Sequence, residues 1–77
     1  MSEAPLAGEE DAQIADLVAW FDEQGRTLVF HEHPDGRWIA FYPNYGQSIN
    51  TSPNEEGPSK LAAALAAKTA LQQQAAT

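Results

Sequence analysis

Glu32-His33-Pro34-Asp35-Gly36-Arg37 stands between two apolar and aromatic runs, and the way it turns sets which side chains share a face. The run before it is Thr27-Leu28-Val29-Phe30-His31 and the run after it is Trp38-Ile39-Ala40-Phe41-Tyr42. Both are dense in β-branched and aromatic residues, which suit a pleated, half-buried surface, so the segment reads as a β-hairpin. Pro34 fits the first central position of a type I turn and Gly36 the left-handed residue after it, giving a three-residue loop with a bulge. A two-residue Asp-Gly turn competes with this. It would set Pro34 opposite Arg37, where a backbone N–H is wanted that proline lacks. In the three-residue register Glu32 faces Trp38, His31 faces Ile39, Phe30 faces Ala40, Val29 faces Phe41 and Leu28 faces Tyr42. One face then carries Leu28, Phe30, Trp38, Ala40 and Tyr42, and the other Val29, His31, Arg37, Ile39 and Phe41. A slip of one residue would exchange the two faces.

Upstream of these runs, Ile14, Leu17, Val18 and Phe21 fall at i, i+3, i+4 and i+7, which predicts an amphipathic helix over residues 9–24. Glu9, Glu10 and Asp11 sit in its first turn, where the helix dipole favours them, and Gly25 is placed to end it. Trp20 lies beside the apolar stripe and either covers its flank or protrudes. Residues 1–8 mix Ser, Pro, Gly and Ala without a period and read as a disordered leader. After the hairpin, Pro43-Asn44-Tyr45-Gly46 is a turn, and Gln47-Ser48-Ile49-Asn50-Thr51 is expected to return as a short, polar third strand. Residues 52–58 read as a loop. Ser59 can then cap an alanine-rich helix from Lys60 to about Gln73, with Leu61, Leu65 and Leu71 as its larger apolar residues. Residues 74–77 should fray.

The order is α-β-β-β-α in a single domain over residues 9–73, and no internal repeat is visible. The predicted fold class is α+β, two layers, with a three-stranded antiparallel sheet and both helices on one face. Because both hairpin faces are hydrophobic, the face opposite the helices must show water an apolar patch, and such a patch marks a partner surface.

The chain has 77 residues, so it buries only about 60% of the surface its unfolded form exposes and has no room for a deep substrate cavity. There is no cysteine, hence no disulfide framework and no thiolate metal site. Neither a signal peptide nor a membrane-spanning apolar run is visible, so the expected location is the cytoplasm. Four Lys plus Arg stand against eleven Asp plus Glu, a formal net charge of −7. Nucleic-acid binding is driven by basic residues that displace counterions, so this balance argues against DNA or RNA as the ligand and admits a basic protein partner. Acidity alone also keeps a small protein soluble. Most of the acidic residues lie at or before Glu32.

Asp35-Gly36-Arg37-Trp38-Ile39-Ala40-Phe41-Tyr42-Pro43, followed by Gly46 and then by an alanine-rich helix, resembles HicB-like antitoxin domains over roughly residues 28–71. Those domains carry an Asp-Gly turn, a strand with aromatic, alanine and aromatic at alternate positions, a proline, a short loop and a glycine, then a helix. The spacing from Pro43 to Gly46 is one residue short of that pattern, residues 52–58 lack the family's Thr-Glu-Glu-Ala-like helix start, and a helix precedes the hairpin where the family begins with a strand. The resemblance implies binding to a toxin or another protein. The α-β-β-β-α order is also similar to double-stranded-RNA-binding domains, as is Gly57-Pro58-Ser59-Lys60 ahead of an alanine-rich helix. Leu61 and Ala64 replace the further lysines of that family, which takes away the basic cluster RNA would need.

His31-Glu32-His33 puts two imidazoles on one side of a strand at a spacing that can chelate zinc or copper, but no third ligand is matched to them, so no metal is expected. Carboxylate pairs such as Glu9-Glu10 and Asp22-Glu23 do acid–base chemistry only when buried in a cleft, and these fall on a solvated face. Ser48, Thr51, Ser52 and Ser59 have no positioned base, and the glycines form no phosphate loop. The expectation is a protein that is not an enzyme and needs no cofactor. The candidate protein-binding residues are Val29, His31, Arg37, Ile39, Phe41 and Tyr45, engaging a partner protein or a second copy in a homodimer. The alternative surface is acidic: Glu9, Glu10, Asp11, Asp16, Asp22 and Glu23 could imitate phosphate charge and block a basic protein surface, as small phage-encoded anti-defence proteins do.

Overall fold

The structure, a computed structural model, describes residues 7–76, with side chains over 10–74. Its elements run α1 (Ala7–Glu23), β1 (Val29–Glu32), β2 (Trp38–Phe41), a 3-10 turn (Ile49–Thr51), β3 (Asn54–Gly57) and α2 (Lys60–Ala76). The sheet is antiparallel with strand order β1-β2-β3. This is the expected α-β-β-β-α fold. Of the expected leader, residues 1–6 lie outside the described residues, while Ala7 and Gly8 open α1. At the other end α2 continues past Gln73 to Ala76, and Thr77 is outside the described residues.

The hairpin adopts the three-residue loop. Glu32 pairs with Trp38, His31 with Ile39, Phe30 with Ala40 and Val29 with Phe41. The loop is closed by His33 N donating to Arg37 O (2.7 Å) and by Gly36 N donating to His33 O (2.9 Å). Gly36 sits at φ +97°, a conformation that a side chain disfavours. The same register continues below the strands, where Thr27 N donates to Pro43 O (3.0 Å) and Arg26 bridges to Asn44.

The third strand is not where the sequence predicts it. Residues Gln47–Thr51 curl instead of pairing: the Gln47 side chain accepts from Asn44 N (2.9 Å) and donates to Thr51 O (3.1 Å), and Ser48 caps the 3-10 turn. Local side-chain bonds of this kind compete with a strand ladder. The pairing with β2 is made by Asn54–Gly57, part of the expected loop, with Phe41 opposite Asn54 and Trp38 opposite Gly57.

The core lies between the sheet and the helices and contains Leu17, Phe21, Leu28, Ala40, Tyr42, Ala63, Ala64, Ala67 and Leu71, with Trp20, Phe30, Trp38 and Leu61 packed against it. Alanines let α2 lie close to the sheet. A Cβ at Gly57 would come within 2.6 Å of Ala63 N, so the glycine is what permits the approach. α1 packs along α2 and sets Phe21 against Tyr42, ring centroids 5.5 Å apart. Its C-terminus is closed by Arg26 N to Phe21 O (2.9 Å) and Gly25 N to Asp22 O (3.0 Å), the paired bonds of a Schellman motif.

Candidate functional site

With Leu28, Phe30, Trp38, Ala40 and Tyr42 turned to the helices, alternation places Val29, His31, Arg37, Ile39 and Phe41 on the other side of the sheet. Val29, Ile39 and Phe41 are half-buried and His31 is exposed. Two rows cross this open face, His31-Ile39-Glu56 and Val29-Phe41-Asn54. The curled segment that displaced the expected strand forms one wall beside them. A shallow groove of about 470 Å³ is lined by Val29, His31 and Phe41 on the sheet and by Ile49, Asn50 and Ser52 of the curl. Ile49, 42% exposed, extends the apolar surface. Sequence reading missed Ile49 because it assigned Gln47–Thr51 to a strand edge.

Arg37 stands on the same side but its charge is spent locally. Its guanidinium donates to Asp35 through Nε (2.9 Å) and to Glu56 through Nη1 (2.6 Å). The backbone N–H of Arg37, donating to Asp35 Oδ1 at 3.1 Å, is the main reason the Asp35 carboxyl lies below its ordinary range, and the Arg37 and His33 side chains add to it. His33 Nδ1 lies 3.1 Å from Asp35 Oδ1, a pair that is ionic only when the imidazole is protonated.

Tyr45 does not join these residues. It is 58% exposed, and its hydroxyl donates to the Asp22 carboxylate and lies 3.2 Å from Asp22 O, at the C-terminal turn of α1. That hydrogen bond raises the Tyr45 pKa above its ordinary value. Tyr45 therefore belongs with the acidic surface. On that surface Asp11, Asp16, Asp22 and Glu23 are exposed and Glu10 is half-buried, while the side chain of Glu9 is outside those described. No Lys or Arg occurs before Arg26.

The four basic residues all face groups of the chain itself. Besides Arg37, Arg26 Nη1 donates to Tyr42 O (3.0 Å) with its guanidinium over the Tyr42 ring. Lys60 Nζ lies 5.6 Å from the Phe30 ring centroid and 5.3 Å from that of Trp38, and Lys68 Nζ lies 5.2 Å from that of Trp20. These distances are those of cation–π contacts. Trp20 thus covers the flank of the core and does not protrude. Among the described residues no group of three or more His, Cys, Asp or Glu is placed to hold a metal ion, and no helix is long and apolar enough to cross a membrane. Comparisons with family models, with curated proteins and with solved structures find no match to this chain.

Proposed function

We propose that this chain is a non-catalytic protein-interaction module of the cytoplasm that binds its partner through the open face of the sheet. The observation that carries the reading is the row Val29, Phe41 with Ile39 and Ile49 beside it, an apolar surface that neither helix covers. A chain this small gains by burying such residues, and leaving them on one side stabilises only a complex. An antitoxin-like role is the form of this reading that the HicB-like stretch implies. The test is quantitative capture of partners from the cells that encode the chain, comparing it with Phe41→Asp and Ile49→Asp, each checked for folding by circular dichroism. Captured proteins that are retained equally by both folded variants would sink the reading.

A second reading is carried by α1. All of its charged residues are acidic and no base lies in its last turn, so it presents uncompensated negative charge to a basic protein surface. Binding through it should weaken steeply with added salt, whereas binding through the apolar face should not.

A further inference from the structure

We propose that the outer edge of β1 accepts an extended, Lys- or Arg-bearing segment of a partner protein as a fourth strand. The inference rests on the protein-interaction reading above and specifies its partner. β1 ends the sheet: it pairs with β2, and among the described residues no strand lies beyond it. The ladder bonds at Thr27–Pro43 and His33–Arg37 show that odd-numbered residues turn their N–H and C=O groups toward β2. In an antiparallel pair these directions alternate, so Leu28, Phe30 and Glu32 turn theirs outward. That is a three-residue template for strand addition, with no proline, lysine or bulge within β1 to block it. Alternate side chains of an added strand would fall on the open side next to Val29 and His31, at the mouth of the groove lined by Phe41 and Ile49.

Charge selects the occupant. Glu32, opposite Trp38 on the helix side of the sheet, is exposed on the edge and has no ion-pair partner among the described residues, and the cation nearest that side, Lys60, lies over the Phe30 and Trp38 rings instead. A basic side chain opposite Glu32 finds a free carboxylate, and the net charge of −7 favours its approach. A second copy is the poorer occupant. Antiparallel pairing of two β1 edges would set Glu32 against Leu28, Phe30 or Glu32 of the other copy, a carboxylate against an apolar group or a like charge, and would join two chains of the same sign.

The experiment is selection from a phage-displayed library of random dodecapeptides on the immobilised full chain, followed by amide hydrogen exchange of the labelled chain with a selected peptide. The expected peptides alternate Lys or Arg with apolar residues. They slow exchange at the Phe30 and Glu32 amides by at least about tenfold, while the Val29 and His31 amides, already bonded to β2, change less. Glu32→Pro removes an outward N–H without touching the ladder and should weaken binding at least about tenfold; if that variant fails to fold, the exchange pattern of the unaltered chain decides. Peptides that resist Glu32→Pro but are lost with Phe41→Asp would overturn the edge and leave the face reading standing. Peptides indifferent to both variants would overturn both readings. Neutral or acidic peptides, no retained peptide, or a stable dimer whose exchange protection maps to β1 would each overturn the cationic strand.

Discussion

Gly57 lies opposite Trp38 where β3 runs beneath the start of α2, and a Cβ there would stand 2.6 Å from Ala63 N and 2.8 Å from Ala62 C. Both obstacles are backbone, so no side-chain rotation relieves them. Gly57→Ala should therefore lower stability by about 1–3 kcal/mol, read as a shifted urea midpoint with little change of slope. Tyr42, 1% exposed, carries a different residue-scale consequence. Burial raises its pKa above the ordinary value of 10.0, helped by the charge of Glu55 and opposed by Arg26. A phenol with a raised folded pKa contributes stability that is whole below the unfolded value and is lost as pH climbs toward the folded one. Stability should accordingly fall above pH about 10, and less steeply in Tyr42→Phe, as measured by urea denaturation across an alkaline series. Alternation puts Trp38 and Tyr42 on one side once the turn is read, but both sides are apolar, and only the packing of the helices against that side shows which of them is inward. Tyr45 could not be placed from the sequence, since its partner Asp22 is distant in the chain and no periodicity links a loop tyrosine to a helix end.

At the scale of elements, the hairpin was legible because Pro34 and Gly36 admit one comfortable loop, and the register follows from the loop. The amphipathic period of α1 and the alanine content of α2 were equally plain. The third strand was not. Ile49 and Thr51 have strand propensity, whereas Asn54-Glu55-Glu56-Gly57 has almost none; what makes the latter a strand is pairing with β2 and cover from α2. Propensity on a sheet edge is a weak guide of this kind. The same error hid part of the candidate site, because the curled segment supplies Ile49 to the groove. α1 carries a local conflict that a substitution exposes. Asp22 and Glu23 occupy its last turn, where the dipole favours cations, and no base is there to offset them. Glu23→Lys should stabilise the chain by about 0.3–1 kcal/mol at low salt, with the gain shrinking as salt is added. Loss of a cationic partner in the same variant would favour the acidic-helix reading over the sheet face.

For the whole molecule, two features oppose one another: an apolar face that no described element covers, which promotes association, and a net charge of −7, which resists it. Three of the four cations lie over aromatic rings and the fourth between two carboxylates, so little positive charge is offered to the acidic surface of another copy. At neutral pH repulsion between like chains should hold the protein monomeric while leaving the face open to a basic partner. The balance turns as the pH approaches the isoelectric point, near 4.4, where the repulsion vanishes and the apolar patch does not. Light scattering should therefore give a monomer mass at neutral pH and a rising mass on acidification, and Phe41→Asp should suppress the rise by placing a polar group in the centre of the patch. A rise that is unchanged in that variant would mean that association uses another surface, and would move the search to Val18 and Leu65, the large exposed apolar side chains among the described residues of the helices.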